Sequence, residues 1–116
     1  MSYQDLQVFR EAYQLSLEIH KLSLEFPAVE QYELAPQLRK ATKSVAVNIA
    51  EGMGKQGSKA EKKRFLRIAL GSYEESKVWL EYCRDLSYLS EPECRKFQAG
   101  YSEIARMING LIRRYD

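Results

Sequence analysis

Cysteine and histidine are scarce in this sequence of 116 residues, which has two cysteines, Cys83 and Cys94, and one histidine, His20. A structural zinc site takes four Cys or His ligands, so one chain cannot assemble such a site. The sequence predicts no bound metal and no cofactor. We expect both thiols to be free in a reducing cytoplasm, and the alternative is a disulfide formed if the turn between their helices brings them together.

Long apolar runs are absent, and little net charge is present. Polar residues interrupt every apolar stretch well before it reaches the length of a membrane span, and residues 1–5 lack the basic start and apolar core of a secretory signal. We therefore expect no membrane partner.

The 18 Lys and Arg residues against 16 Asp and Glu residues leave a net charge of +2, so bulk charge alone does not indicate a nucleic-acid-binding protein. The length is typical of one domain, residues 1–116.

Apolar residues recur at spacings of three and four in four successive segments, which is typical of helices with one buried face. Pro27 ends the first segment, and the second begins near Pro36 and ends at Gly52, for which we predict a left-handed conformation. Capping boxes open the third segment at Ser58 and the fourth at Ser90. No segment alternates like a strand. Because the connections are short, the sequence predicts an all-α, antiparallel up-down-up-down four-helix bundle.

Positive charge is concentrated in residues 53–67, where Glu61 is the only acidic residue. We call six cations the basic segment: Lys55, Lys59, Lys62, Lys63, Arg64 and Arg67. They begin in a glycine-containing loop and continue into the first turns of the third helix, so several of them can reach phosphate oxygens together. We predict that they bind nucleic acid through charge and shape. The alternative is that these side chains only keep the protein soluble.

Four polar residues are hard to explain as solvated surface: Arg39, Asn48, Glu51 and Glu75. Asn48 falls on the apolar stripe of the second helix, where an unsatisfied amide costs about 1–3 kcal/mol, so it needs a partner. We expect Arg39 to pair with Glu75 across neighbouring helices, and the partner of Glu51 stays open. We interpret the four as a structural polar network that fixes the bundle register, rather than as a catalytic group.

No catalytic arrangement stands out among the titratable residues. His20 follows Arg10 by nearly three helical turns, unlike the closely spaced Arg and His of some small helical ribonucleases. Glu74 and Glu75 point in different directions on a helix and do not form an acid/base pair. The glycines form no nucleotide-binding motif, and no serine triad is visible. We therefore predict that the protein is not an enzyme, with an unrecognised nuclease as the competing hypothesis.

Several short motifs follow one another along the chain, including Phe26-Pro27, Gln37-Leu38-Arg39, Asn48-Ile49-Ala50-Glu51-Gly52, Phe65-Leu66 and Gly71-Ser72. In their order and spacing they resemble the bacterial 23S rRNA intervening-sequence proteins, a family of small four-helix bundles. Family members are similar to the accessory variability protein of diversity-generating retroelements, a pentameric barrel that engages a reverse transcriptase and nucleic acid. The resemblance therefore implies a ring-like homopentamer whose basic surface contacts RNA or a reverse-transcriptase-like partner.

Tyrosine is abundant, and its amphipathic ring suits interfaces between protomers. We expect some of seven tyrosines to lie at such interfaces: Tyr13, Tyr32, Tyr73, Tyr82, Tyr88, Tyr101 and Tyr115. The resulting hypothesis is a cytoplasmic, non-enzymatic, oligomeric scaffold associated with RNA or ribonucleoprotein. The alternative is a helical adaptor that binds protein and makes no direct contact with nucleic acid.

Overall fold

The computed structural model describes residues 2–54 and 56–116, and within these ranges the chain is helical with no strand. Two short 3-10 helices, Tyr3–Asp5 and Ala28–Gln31, precede the first and second α-helices. The α-helices are α1 (Gln7–Ser23), α2 (Leu34–Gly54), α3 (Lys59–Asp85) and α4 (Glu91–Arg114). The predictions of an all-α chain and of four helices are confirmed.

The helix starts follow the capping signals in the sequence. The Ser58 hydroxyl accepts a hydrogen bond from the Glu61 amide at 3.1 Å. At α4 the exchange is reciprocal: the Glu93 amide donates to Ser90 Oγ at 3.2 Å, and the Ser90 amide donates to Glu93 Oε1 at 2.9 Å. These bonds satisfy backbone amides that have no partner inside the helix. The predicted capping box is confirmed at Ser90, and at Ser58 the serine cap is formed while the Glu61 carboxylate binds Arg64.

Gly52 does not have the predicted left-handed conformation, because α2 continues through it to Gly54 and no described glycine has a positive φ. Gly52 is buried where α2 crosses α3. A Cβ atom placed there would lie 3.2 Å from the carbonyl oxygen of Lys62 and 3.2 Å from Cβ of Phe65. The prediction was wrong because glycine serves here to let two helices approach closely, a need that the local sequence does not distinguish from a helix end.

The core is built from one face of each helix. Helix α1 packs against α2 and α4, and α3 packs against α2 and α4. The largest fully buried side chains include Ile19, Leu38, Ile49, Leu66, Leu80, Tyr101, Ile104 and Ile108. Leu66 and Leu80 are the largest fully buried side chains that α3 contributes. No helix in the described ranges combines the length and the apolar character needed to cross a bilayer.

A buried carboxylate ties the α1–α2 connection to the α3–α4 connection. Glu30 is only 8% exposed, and its Oε2 accepts a hydrogen bond from the Tyr88 hydroxyl at 2.7 Å. Glu30 Oε1 accepts a longer bond from the Leu34 amide at the start of α2, at 3.4 Å. The hydrogen bond to Glu30, together with burial, raises the pKa of Tyr88. The two connections are therefore held together by a charge-assisted hydrogen bond.

Helix α3 ends at a left-handed residue that is not a glycine. Ser87 has a φ of 65°, and the amides of Tyr88 and Leu89 both donate to the Cys83 carbonyl, at 2.8 and 3.2 Å. This pattern closes the carboxyl end of the helix in the way that a glycine ordinarily does.

The substitution Ser87→Gly is expected to raise the free energy of unfolding by about 0.5–1 kcal/mol, because glycine lacks the Cβ that makes this conformation costly but loses more backbone entropy on folding. Urea unfolding followed by circular dichroism measures the change. The matched control is Ser102→Gly at an exposed position inside α4, which is expected to lower stability by about 0.5 kcal/mol. A loss of stability in Ser87→Gly would contradict the assignment.

Candidate nucleic-acid interface

The first turns of α3 and the last turn of α4 lie side by side. Lys63 Nζ is 3.0 Å from Asp116 Oδ1, and Lys62 Nζ lies 6.0 Å from the centre of the Tyr115 ring. These contacts place the last turn of α4, which carries Arg113 and Arg114, at the same end of the bundle as the basic segment. We call the cations at this end of the bundle the basic end: Lys59, Lys62, Lys63, Arg64, Arg67, Arg113 and Arg114. The remaining predicted residue, Lys55, lies outside the described residues.

Intramolecular partners neutralise part of this positive charge. Arg64 binds Glu61 through two hydrogen bonds, Nε to Oε2 at 3.0 Å and Nη2 to Oε1 at 3.1 Å, and this pairing raises the pKa of Arg64. Its guanidinium carbon also lies 4.4 Å from the centre of the Phe65 ring. Lys59 and Arg67 are exposed and make no ion pair in the ranges that the structure covers. The cations of the predicted segment therefore differ in how freely they can bind phosphate.

The sequence did not indicate Arg113 and Arg114 as binding residues, because they lie almost fifty residues beyond the basic segment. Both side chains are exposed. The signal in the sequence was two consecutive arginines in the last turn of the fourth helix, where cations also stabilise the negative end of the helix dipole. Only the packing of α4 against α3 shows that these charges lie at the same end of the bundle as the basic segment.

The four residues of the predicted polar network do not form one network. Arg39 donates from Nη2 to Gln31 Oε1 at 2.8 Å, and Glu75 accepts from Trp79 Nε1 at 3.0 Å. The expected Arg39–Glu75 pair is therefore not formed: Arg39 has a partner in the 3-10 helix before α2, and Glu75 has one a turn away on its own helix. Glu51 is half-buried beside the groove described below.

Asn48 belongs to a smaller network that crosses from α2 to α3. Its Nδ2 donates to the Ser44 carbonyl at 2.8 Å and to the Ser44 hydroxyl at 3.0 Å. The Ser72 hydroxyl donates to Ser44 Oγ at 2.8 Å. Asn48 thus has the partner that its position required, and the hydroxyl pair joins the two helices through a polar contact at their interface.

An open groove of about 770 Å³ runs between α1 and α2. Its lining is mainly apolar and includes Phe9, Tyr13, Leu17 and Val47, with Lys43 and Glu51 at its border. Tyr13 and Val47 are 51% and 56% exposed. Apolar side chains exposed together in this way are typical of a surface that another molecule covers.

His20 lies near two cations of α2. Its Nδ1 atom is buried and has no hydrogen-bond partner among the described residues. Burial lowers the pKa of His20, and the charges of Lys43 and Arg39 lower it further. Desolvation and like charge therefore favour the neutral form of the imidazole. The charged groups that act on His20 are cations, whereas a catalytic histidine base is commonly oriented by a carboxylate.

Acidification is expected to reduce the free energy of unfolding as the pH falls below about 6.5, because the unfolded chain then binds a proton at His20 that the folded chain binds less tightly. Replacement by His20→Gln is expected to flatten this part of the pH dependence. Urea midpoints measured between about pH 7.5 and 5 provide the comparison. Identical slopes for the parent and His20→Gln would contradict the effect.

Both cysteines are buried and free, so the alternative of a disulfide is not realised. Burial raises the pKa of Cys83 to about 12. The Cys94 thiol donates to the Leu80 carbonyl at 3.6 Å. A thiol with a raised pKa is a poor nucleophile near neutral pH, so the two cysteines serve as core residues.

Comparison with known proteins identifies relatives of this chain. Residues 4–110 match the model of a family described as 23S rRNA-intervening sequence protein. A crystal structure of a protein with unknown function from the S23 ribosomal protein family of Bacteroides thetaiotaomicron is similar with a TM-score of 0.79 and 25% sequence identity, over 90% of this chain and 97% of that chain. No curated protein matches at a significant level. The resemblance drawn from the sequence motifs is confirmed.

Proposed function

The chain belongs to the 23S rRNA-intervening sequence protein family, and from this premise we propose that it is a non-enzymatic, oligomeric scaffold that binds RNA or ribonucleoprotein through its basic end. The observation that carries the proposal is that the last turn of α4, with Arg113 and Arg114, lies at the same end of the bundle as the first turns of α3. Cations from two helices are gathered at this end, and clustered cations favour contact with a phosphate backbone.

The ion pairs of the basic end are compatible with RNA binding. Lys63 pairs with Asp116, whose side chain is 57% exposed, and Arg64 pairs with Glu61 on the surface of α3. Exposed pairs of this kind typically contribute only about 0–1 kcal/mol, so a phosphate group can replace the carboxylate at little cost. Contacts of this kind read the charge and shape of RNA rather than its base sequence.

The proposal includes the up-down-up-down order of the bundle. Three contacts between helices support it: Leu15 lies against Gly100, the Ser44 hydroxyl bonds that of Ser72, and the Tyr115 hydroxyl bonds Met53 Sδ at 3.8 Å. In this order the end of α2, the start of α3 and the end of α4 lie at the same end of the bundle, as a composite basic surface requires.

We further propose that the chain assembles into a ring-like homo-oligomer, a pentamer by the family resemblance, in the cytoplasm. The exposed tyrosines Tyr13, Tyr32 and Tyr82 support a role at protomer interfaces, whereas Tyr101 is buried within the chain. The free thiols fit a reducing compartment. A ring repeats the basic end around its axis, so weak phosphate contacts combine through multivalency, and a reverse-transcriptase-like protein is a further candidate partner.

The second candidate function is a protein-binding adaptor without nucleic-acid contact, and the apolar groove between α1 and α2 favours it. The two functions differ in their dependence on ionic strength. Phosphate binding weakens steeply as salt rises because counterions are released, whereas binding in an apolar groove depends little on salt.

Replacement of Lys59, Lys63 and Arg67 by alanine is expected to weaken RNA binding by about tenfold or more at low salt, because phosphate contacts are lost. Each lost contact is also expected to reduce the slope of log affinity against log salt concentration by about one. The variant Arg113→Ala/Arg114→Ala is expected to weaken binding as well. Filter binding of a single-stranded RNA over a series of salt concentrations measures both quantities, and circular dichroism verifies that the helices are retained.

The matched control removes three cations elsewhere, at the end of α1 and the start of α4: Lys21, Arg95 and Lys96. All three are exposed. Because each variant removes three cations, this one has the same net charge as the triple variant of the basic end. We expect it to retain RNA more strongly than that variant. Equal retention by the two would show that RNA responds to total charge and not to the basic end.

A further inference from the structure

Two connecting segments contact each other at one end of the bundle, and we call them together the connection end. The first is residues 24–33, between α1 and α2, and the second is residues 85–93, from the last residue of α3 to the first turn of α4. The Tyr88 hydroxyl donates to Glu30 at 2.7 Å, and the ring centres of Phe26 and Tyr88 lie 5.2 Å apart. These contacts hold the two segments in place, so the surface that they present is formed before any partner binds.

The connection end exposes large apolar side chains. In the first segment Leu24, Val29 and Tyr32 are 57%, 61% and 88% exposed, and in the second Leu86 is 49% exposed. The described part of the chain has nine exposed large apolar side chains, and these are four of them, although the two segments hold less than a fifth of the sequence. Exposed apolar side chains concentrated in this way indicate a surface that another molecule covers.

The same two segments carry negative charge only. They contain no Lys, Arg or His and six acidic residues: Glu25, Glu30, Glu33, Asp85, Glu91 and Glu93. Arg84 Nε lies 2.9 Å from Asp85 Oδ1, so that carboxylate is neutralised from the neighbouring position. Glu25, Glu33 and Glu91 are exposed and make no ion pair within residues 2–54 and 56–116. Free carboxylates therefore lie at the same end of the bundle as the exposed apolar side chains.

Helix α2 separates the connection end from the basic end. At the start of the helix the Leu34 amide donates to Glu30 at 3.4 Å, and near its last turn Gly52 lies against Lys62. The helix has 21 residues, which corresponds to a length of about 30 Å. A molecule bound at the connection end therefore leaves the cations of the basic end accessible.

We propose that the connection end binds a basic segment of another protein, in which apolar side chains alternate with lysines and arginines. The carboxylates select a cationic partner, and the exposed apolar side chains, above all Tyr32, supply the contact area. Nucleic acid is disfavoured here because its phosphates would face carboxylates. This inference goes beyond the proposed function, which assigns only the basic end. With both ends occupied, the scaffold joins RNA to a basic protein.

Removal of two apolar side chains tests the contact. The probe is a fluorescein-labelled amphipathic peptide of leucine and lysine, and fluorescence anisotropy gives its dissociation constant. Val29→Ser/Tyr32→Ser is expected to weaken binding by about tenfold or more, because apolar anchors are lost. The matched control, Tyr13→Ser/Val47→Ser, removes the same residue types from the groove between α1 and α2 and is expected to bind like the parent. A control that loses as much binding as the test variant would overturn the proposal.

Neutralised carboxylates test the same surface without the loss of apolar contacts. Glu25→Gln/Glu33→Gln is expected to weaken peptide binding by about threefold or more at low salt and to reduce its salt dependence. The control, Glu74→Gln/Glu75→Gln, neutralises two exposed carboxylates on α3 and has the same net charge. A second peptide, with glutamate in place of every lysine, is expected not to bind. Equal binding of the two protein variants, or of the two peptides, would contradict the assignment.

The basic end provides the comparison that separates this inference from the proposed function. The variant Lys59→Ala/Lys63→Ala/Arg67→Ala is expected to bind the peptide at least as strongly as the parent, and a loss there would place the peptide elsewhere and overturn the proposal. If the parent binds RNA but not the peptide, this inference is wrong and the proposed function stands. If it binds the peptide but not RNA, the reverse holds.

A second copy of the chain is the competing occupant of the connection end. Molar mass from light scattering distinguishes it from a basic partner. Val29→Ser/Tyr32→Ser is expected to have the same molar mass as the parent, since the two side chains contact a different protein. A lower molar mass in this variant would show that another copy covers the surface, and would overturn the proposal.

Discussion

The close contact between α2 and α3 positions every surface discussed above. At Gly52 the missing side chain lets the Lys62 carbonyl approach to 3.2 Å from the position of a Cβ atom, and further along the hydroxyls of Ser44 and Ser72 bond at 2.8 Å. These contacts fix how the two helices are rotated about their axes. The rotation places the first turns of α3, with their cations, at the same end of the bundle as the end of α2.

The surface charge of the protein follows from how the helix ends are paired. The end of α4 lies against the start of α3 through Lys63–Asp116 and Lys62–Tyr115. This pairing places two arginines at the same end of the bundle as the basic segment and also supplies a carboxylate that competes with phosphate. At the connections between the other helix ends, a buried carboxylate, Glu30, bonds Tyr88. Most cations of the basic end are exposed, whereas the polar contact at Glu30 is buried and structural.

Predictions about contacts within one helical turn and predictions about contacts between helices had different outcomes. The caps at Ser58 and Ser90 depend on residues three positions away, and both serine hydroxyls accept the predicted hydrogen bond. The pairing of Arg39 with Glu75 depended on the relative rotation and height of two helices, and each residue binds a neighbour in sequence instead. Gly52 shows the same limit, because a glycine near a helix end fits both a left-handed cap and a close helix crossing.

The sequence by itself determined the number of helices, their starts, most of their buried faces and the location of the basic segment, because apolar periodicity, capping and local charge are properties of residues within a turn or two of each other. Tertiary structure alone decided that the end of α4, with Arg113 and Arg114, lies at the same end of the bundle as the basic segment, and that Ser44 and Ser72 carry the polar contact. These outcomes depend on how whole helices are rotated and placed against one another, and that arrangement is set by packing summed over the entire core.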